Sequence, residues 1–187
     1  MPVAREIRTR VECCVVCIRL TSWVPWSDAI IACMHWGVEY RSLPEKAEKE
    51  LADWLIEQGV DHVIGSHPHV LQPMEVKADT QVNDKHLVVY SLGNFISNMS
   101  KVHTDGGAMV KLELKRLWGI TRLEKCSYSL VWTSRPVLSG KRNYELYPAD
   151  YIMKPLKDEE FIRFSRFLDN SRQLFEHHNK GIKEYFF

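Results

Sequence analysis

The chain has 187 residues, 45% of them hydrophobic and 26% charged, and its 25 basic residues face 24 acidic ones for a net charge of +1. That is enough length for one domain with a sizeable core, and the composition excludes a disordered or fibrous chain. The near-even charge balance gives no general footprint for nucleic acid or a membrane surface, so no nucleic-acid partner is expected.

Residues 1–27 stand apart as an atypical lead-in. They hold four Arg, three Cys and two Trp but no Asp, His, Gly or Asn, and no helix or strand period fits them. Cys14 and Cys17 form a Cys-x-x-Cys pair with no second pair downstream, so a zinc knuckle is not expected. An odd total of five cysteines does not make a disulfide scaffold. The apolar stretch after Arg10 contains Glu12 and is broken by Arg19, which makes a poor secretory signal. Nowhere does the chain approach the roughly 20 apolar residues needed to cross a bilayer.

From Asp28 the pattern becomes orderly. Ala29 to Met34 is a continuous apolar run, predicting a strand buried on both faces and ending at His35-Trp36-Gly37. Ser42-x-x-Glu45 predicts a helix start, Ala47, Leu51, Trp54 and Leu55 its apolar face, and Gly59 its end. Val60 to Ile64 predicts a second strand ending at Gly65-Ser66-His67-Pro68-His69. A strand–helix–strand unit makes the two strands parallel. His35 and the His67/His69 pair then lie just past carboxyl ends of parallel strands, the edge where open α/β sheets bind ligands. Neighbouring strands about 5 Å apart would let these side chains share a metal. A third strand, Leu87–Ser91, runs into Leu92-Gly93-Asn94-Phe95. Two antiparallel strands are expected over 106–117 and 123–133, an irregular connection over 136–150, and a last helix over 158–178 with Phe161, Phe164, Leu168 and Phe175 on one side.

His67-Pro68-His69 is the sharpest chemical signal. Neutral imidazole is the commonest protein ligand of first-row metals, and proline stiffens the turn between the two rings. The alternative is a pair of loop histidines in ordinary hydrogen bonds. Glu39 has three readings: it orients His35, it touches metal or substrate, or it pairs with Arg41 for under about 1 kcal/mol. Asn94 either positions a ligand or caps a turn, and Asp105 either makes a turn or faces the site. His62, His86, His103, His177 and His178 are read as structural or solvated. No phosphate loop, nucleophile elbow or zinc-protease signature is present.

The motifs His35-Trp36-Gly37-Val38-Glu39-Tyr40, Gly65 to Pro73 and Tyr90-Ser91-Leu92-Gly93-Asn94-Phe95, in this order, resemble the CapA family of capsule (poly-γ-glutamate) synthesis proteins, within the calcineurin-like metallophosphoesterase superfamily. The resemblance covers about residues 28–117. It implies an α/β/β/α sandwich with a two-metal centre at one edge, in which His35, His67 and His69 are metal ligands. Glu39 matches the motif carboxylate and, with Asn94, is a candidate catalytic residue. Divalent zinc, manganese or iron would activate water on an anionic polymer or phosphoester. Membrane-associated capsule machinery is the implied setting, while the chain's own location stays open. The superfamily's upstream Asp/His pair, bridging Asp and Asn-His motif have no counterpart in residues 1–27. The expectation is therefore the C-terminal portion of the domain, residues 28–187, with an incomplete centre. The alternative is a non-catalytic metal- or polymer-binding module, or a subunit completed by another chain.

Overall fold

The computed structural model describes residues 27–80, 83–151 and 156–186. Residues 1–26 of the 1–27 lead-in, its Cys-x-x-Cys pair among them, lie outside the described residues. In chain order the elements are β1 (Ile31–His35), α1 (Lys46–Glu57), β2 (His62–Ser66), β3 (Met74–Asp79), β4 (Asp84–Val89), β5 (Gly106–Leu117), β6 (Ile120–Ser134), α2 (Pro136–Ser139), β7 (Glu145–Pro148), α3 (Asp158–His178) and β8 (Lys183–Glu184). The class is mixed α/β.

The first sheet has the order β1-β2-β4-β3. β1 pairs parallel with β2, bringing His35 opposite Ser66, and β2 pairs parallel with β4. The expected strand–helix–strand unit is therefore present. β3 is an additional strand that the apolar pattern did not mark, antiparallel to β4. One face of this sheet supplies Ala32, Met34, Val63, Val88 and Tyr90 to a core shared with Ala52 and Leu55 of α1.

Three expectations need correction here. β1 is not buried on both faces: Ile31 is 46% exposed and Cys33 is exposed too. β1 lies at the sheet edge, and the second core reaches only as far as Ile64 of β2. α1 is capped at Glu45, whose N–H is accepted by the Glu48 carboxylate at 2.5 Å, not at Ser42. A start at Ser42 would put Leu43, the residue before Pro44, in the helical region it disfavours. Trp54 is 47% exposed, and Ala52 takes its place on the buried face.

The second sheet has the order β5-β6-β7, with β8 parallel to β6. β5 and β6 form the expected antiparallel pair, joined through Trp118 and Gly119, both at positive φ. Register puts Ala108, Val110 and Leu112 opposite Leu130, Tyr128 and Cys126. These pack with Met74, Leu87 and Val89 of the first sheet and with Phe164, Phe167, Leu168 and Phe175 of α3 in one core. Phe161 is 58% exposed, because it sits in the first turn at the margin of that stripe. The opposite face of β5 leaves Met109 and Lys111 at the surface. The connection over 136–150 contains α2 and β7 and is more regular than expected. Among the described residues, no helix is long and apolar enough to cross a membrane.

Candidate metal centre

The site forms where β1, β2 and β4 end together. Trp36 donates its backbone N–H to the Ser66 carbonyl at 3.1 Å and its indole N–H to the Tyr90 carbonyl at 2.8 Å. The buried Trp36 thus ties all three strand ends and points the chain after His35 back over the sheet. Gly65 makes this possible: a Cβ there would lie 2.1 Å from the Tyr90 carbonyl oxygen and 2.5 Å from the Trp36 indole nitrogen. Tyr40 N–H then donates to the Pro68 carbonyl at 2.8 Å, clasping the segment after Glu39 to the His67-Pro68-His69 turn.

Three bulky residues of this clasp are in the left-handed region: Tyr40 at φ 66°, His67 at φ 104° and His69 at φ 61°. Each such residue costs on the order of 1–3 kcal/mol, and such strain persists where surrounding structure over-determines it, as at binding sites. Its effect here is convergence. Glu39, His67 and His69 each offer a ligand atom, and these atoms all lie within 4.8 Å of one another. Zinc bonds of about 2.0–2.2 Å would draw such atoms to roughly 3.3 Å apart, a shift within side-chain reach. Two imidazoles and a carboxylate with open positions suit zinc, manganese or iron, so these residues fit one ion.

His35 stands beside this group and outside it, its ring centroid 4.4 Å from that of His67. Arg41 pairs with Glu45 at 2.8 Å. Asn94 lies at the site: its Nδ2 donates to the Thr104 carbonyl at 2.9 Å, and its Oδ1 lies 3.0 Å from His69 Nδ1. Asp105 does not face the site. It is buried, and its Oδ2 accepts from the Trp132 indole N–H at 3.1 Å.

Behind the site, Tyr90 donates its hydroxyl to Glu75 at 2.7 Å. Burial, and then the Glu75 carboxylate, push the Tyr90 phenol well above its ordinary range. Burial also pushes the Glu75 carboxyl upward, but the Tyr90 hydroxyl, Lys77 and Lys180 outweigh it and hold it below the usual carboxylate value. Lys77 completes the network with Asp53 of α1.

Three site features escaped sequence reasoning. Tyr40 stacks on His69 with ring centroids 6.2 Å apart, and Lys101 Nζ lies 4.1 Å from the Tyr40 ring centroid. Tyr40 sits inside a marked motif, but a lysine 61 positions later carries no sequence signal of its own. The Thr104 contact uses a backbone carbonyl, which leaves no trace in residue identity.

A mixed α/β fold with a candidate ion-binding group at the carboxyl edge of parallel strands is the frame in which the sequence comparisons fall. Residues 18–99 match the family described as bacterial capsule synthesis protein PGA_cap. A stretch of 90 residues is 36% identical to the PGA biosynthesis protein CapA of Bacillus subtilis (strain 168), covering 48% of this chain and 22% of that protein. A stretch of 89 residues is 33% identical to the capsule biosynthesis protein CapA of Bacillus anthracis, covering 48% of this chain and 20% of that one. Over this segment the chain is similar to CapA-type capsule synthesis proteins. It spans about a fifth of the length of the curated relatives it matches.

Proposed function

We propose that the chain carries a divalent-metal site of a phosphoesterase-like capsule-synthesis domain, with zinc, manganese or iron held by Glu39, His67 and His69. The observation that carries this reading is the approach of those three ligand atoms to within 4.8 Å of one another. When bound, the ion would supply Lewis-acid activation of water and of a phosphoryl or carbonyl oxygen. The chain's own residues do the positioning. Asn94 fixes the His69 ring, Trp36 and Gly65 fix the strand ends, and Tyr40 closes one side. His35, against His67, is placed to meet substrate or a further ion. The substrate of this reading is an anionic polymer or phosphoester, the setting is membrane-associated capsule machinery, and the complete domain is an α/β/β/α metallophosphoesterase-type sandwich.

A second reading is a module that binds metal or polymer without turnover, or one completed by another subunit. Its support is the donor set: among the described residues the metal group counts one carboxylate and two imidazoles, which suits one ion rather than the pair a two-metal clamp needs.

Metal content of the purified chain, with His67→Ala and His69→Ala alongside, tests both. One ion per chain, lost in both variants, supports the site. Phosphodiester hydrolysis by the loaded protein then selects the first reading, and its absence the second. A chain that takes up neither zinc nor manganese removes both metal readings.

A further inference from the structure

The β5–β6 hairpin ends in a turn that stability alone does not select. Leu117 pairs with Ile120, so Trp118 and Gly119 form a two-residue loop, both at positive φ, 55° and 80°. Such a loop favours asparagine or aspartate before the glycine, and a bulky residue there is held at a cost. The indole gains no packing in return: Trp118 is 99% exposed, and Leu117 and Ile120 beside it are 55% and 53% exposed. Three large apolar side chains therefore stand together at the tip, the kind of patch that marks an interaction surface.

The flanks of the tip are basic. Residues 111–125 hold five basic and two acidic side chains, a net charge of +3, whereas the whole chain carries +1. Lys115 lies opposite Arg122, two positions behind Leu117 and Ile120 on the same face, and both are exposed. A rise of about 3.4 Å per residue sets this cationic pair roughly 7 Å behind the apolar one. That step matches the boundary between acyl chains and headgroups, where apolar side chains sit about 5–10 Å deep and indole is favoured. Lys115 reaches Glu124 at 3.4 Å and Arg116 reaches Asp28, both exposed pairs of the kind that contributes little. A protein partner fits less well. Three side chains fall short of the roughly 800 Å² per partner of a stable interface, and a second copy would set one basic hairpin against another.

We propose that this tip is a lipid-contact site, with Leu117, Trp118 and Ile120 entering the surface of an anionic bilayer and Lys115 and Arg122 meeting its phosphates. The ligand is the lipid surface itself, not another component at the membrane. Lipid demands no matching shape, so a narrow wedge suffices, and each cation near such a surface adds to binding. The proposal does not rest on the metal-centre reading. Asn94 donates its backbone N–H to the Gly106 carbonyl at 3.0 Å where β5 begins, so the metal group and the tip lie at opposite ends of that strand, up to roughly 35 Å apart. The bound chain would hold Glu39, His67 and His69 away from the lipid.

The test is flotation of the full chain with vesicles of phosphatidylcholine alone and of equal parts phosphatidylcholine and phosphatidylglycerol. Binding should appear with the mixed vesicles and weaken as sodium chloride is added. Lys115→Gln and Arg122→Gln should each reduce the partition coefficient about 5-fold. Trp118→Asn should reduce it about 10-fold or more, the scale of losing a buried aromatic side chain. Its urea midpoint should stay level or rise, because asparagine suits the left-handed turn. Lipid brominated along its acyl chains should quench tryptophan fluorescence in the wild type, and Trp118→Asn should abolish that quenching. No binding to the mixed vesicles would overturn the proposal, as would binding that Trp118→Asn leaves unaltered. Self-association lost in Trp118→Asn, without vesicle binding, would also overturn it and make the tip a contact between copies. Variant-sensitive vesicle binding by a chain that takes up no metal would sustain the tip and remove only the metal-centre reading.

Discussion

Asn94 determines which nitrogen of His69 carries the proton. Because Asn94 Nδ2 donates to the Thr104 carbonyl, its Oδ1 is the atom facing His69 Nδ1, 3.0 Å away. An amide oxygen only accepts, so Nδ1 bears the hydrogen and Nε2 keeps its lone pair for an ion. Partners of this kind contribute about 10- to 100-fold to metal affinity. Asn94→Ala should therefore weaken zinc binding by that factor with little change in stability, as read by competition with a chromogenic chelator. Affinity equal to wild type would mean that His69 needs no such orientation.

His35 separates a one-ion centre from a larger one. Its ring lies against His67 but outside the group formed by Glu39, His67 and His69. His35→Ala should retain one ion per chain with affinity reduced less than about 10-fold, whereas Glu39→Gln should lose more, since it removes the carboxylate donor. Elemental analysis after dialysis against buffered zinc checks both. If His35→Ala empties the chain, His35 is a primary ligand and the group must be redrawn.

Much of this site was legible in residue order because it is built at strand ends. Apolar runs closing in His-Trp-Gly and Gly-Ser-His-Pro-His located β1 and β2, and the intervening helix made them parallel. Side-chain spacing could not show that Glu39 joins His67 and His69, because the join depends on Tyr40 adopting positive φ and bonding to Pro68. β3 was missed because Met74–Asp79 alternates with charged Glu75 and Lys77, which are held in a network with Tyr90 and Asp53 rather than in water alone. The surface positions of Ile31 and Trp54 were missed for another reason. A run of apolar residues states that burial is possible, while the neighbouring layer decides which members receive it.

Gly65 should tolerate no side chain. A Cβ would sit 2.1 Å from the Tyr90 carbonyl oxygen, which is backbone and cannot swing aside. Gly65→Ala must push β2 from β4 or displace Trp36, and overpacking of this kind costs about 1–3 kcal/mol or more. Urea denaturation should show a lower midpoint at unchanged slope, with metal uptake falling in parallel. A midpoint within error of wild type would show that the three strand ends are not rigidly joined.

His62 gives the fold a pH dependence unrelated to metal. Its ring is buried, and Nδ1 accepts the Leu87 N–H at 3.1 Å, which requires that nitrogen to be unprotonated. Burial lowers its pKa below the ordinary 6.5, with His86 adding to the effect and Asp61 and Asp84 opposing it. The unfolded chain keeps a histidine pKa of about 6.5, so between the two values it binds more protons than the native state. The stability contribution is fully present above about pH 6.5 and is lost as pH falls from there through the native value. Thermal midpoints should drop from pH 7.5 to pH 5.5. His62→Gln can retain an acceptor for Leu87 but has no proton to gain, so its midpoint should fall less over the same interval. Equal slopes for wild type and His62→Gln would assign the acid sensitivity to other groups.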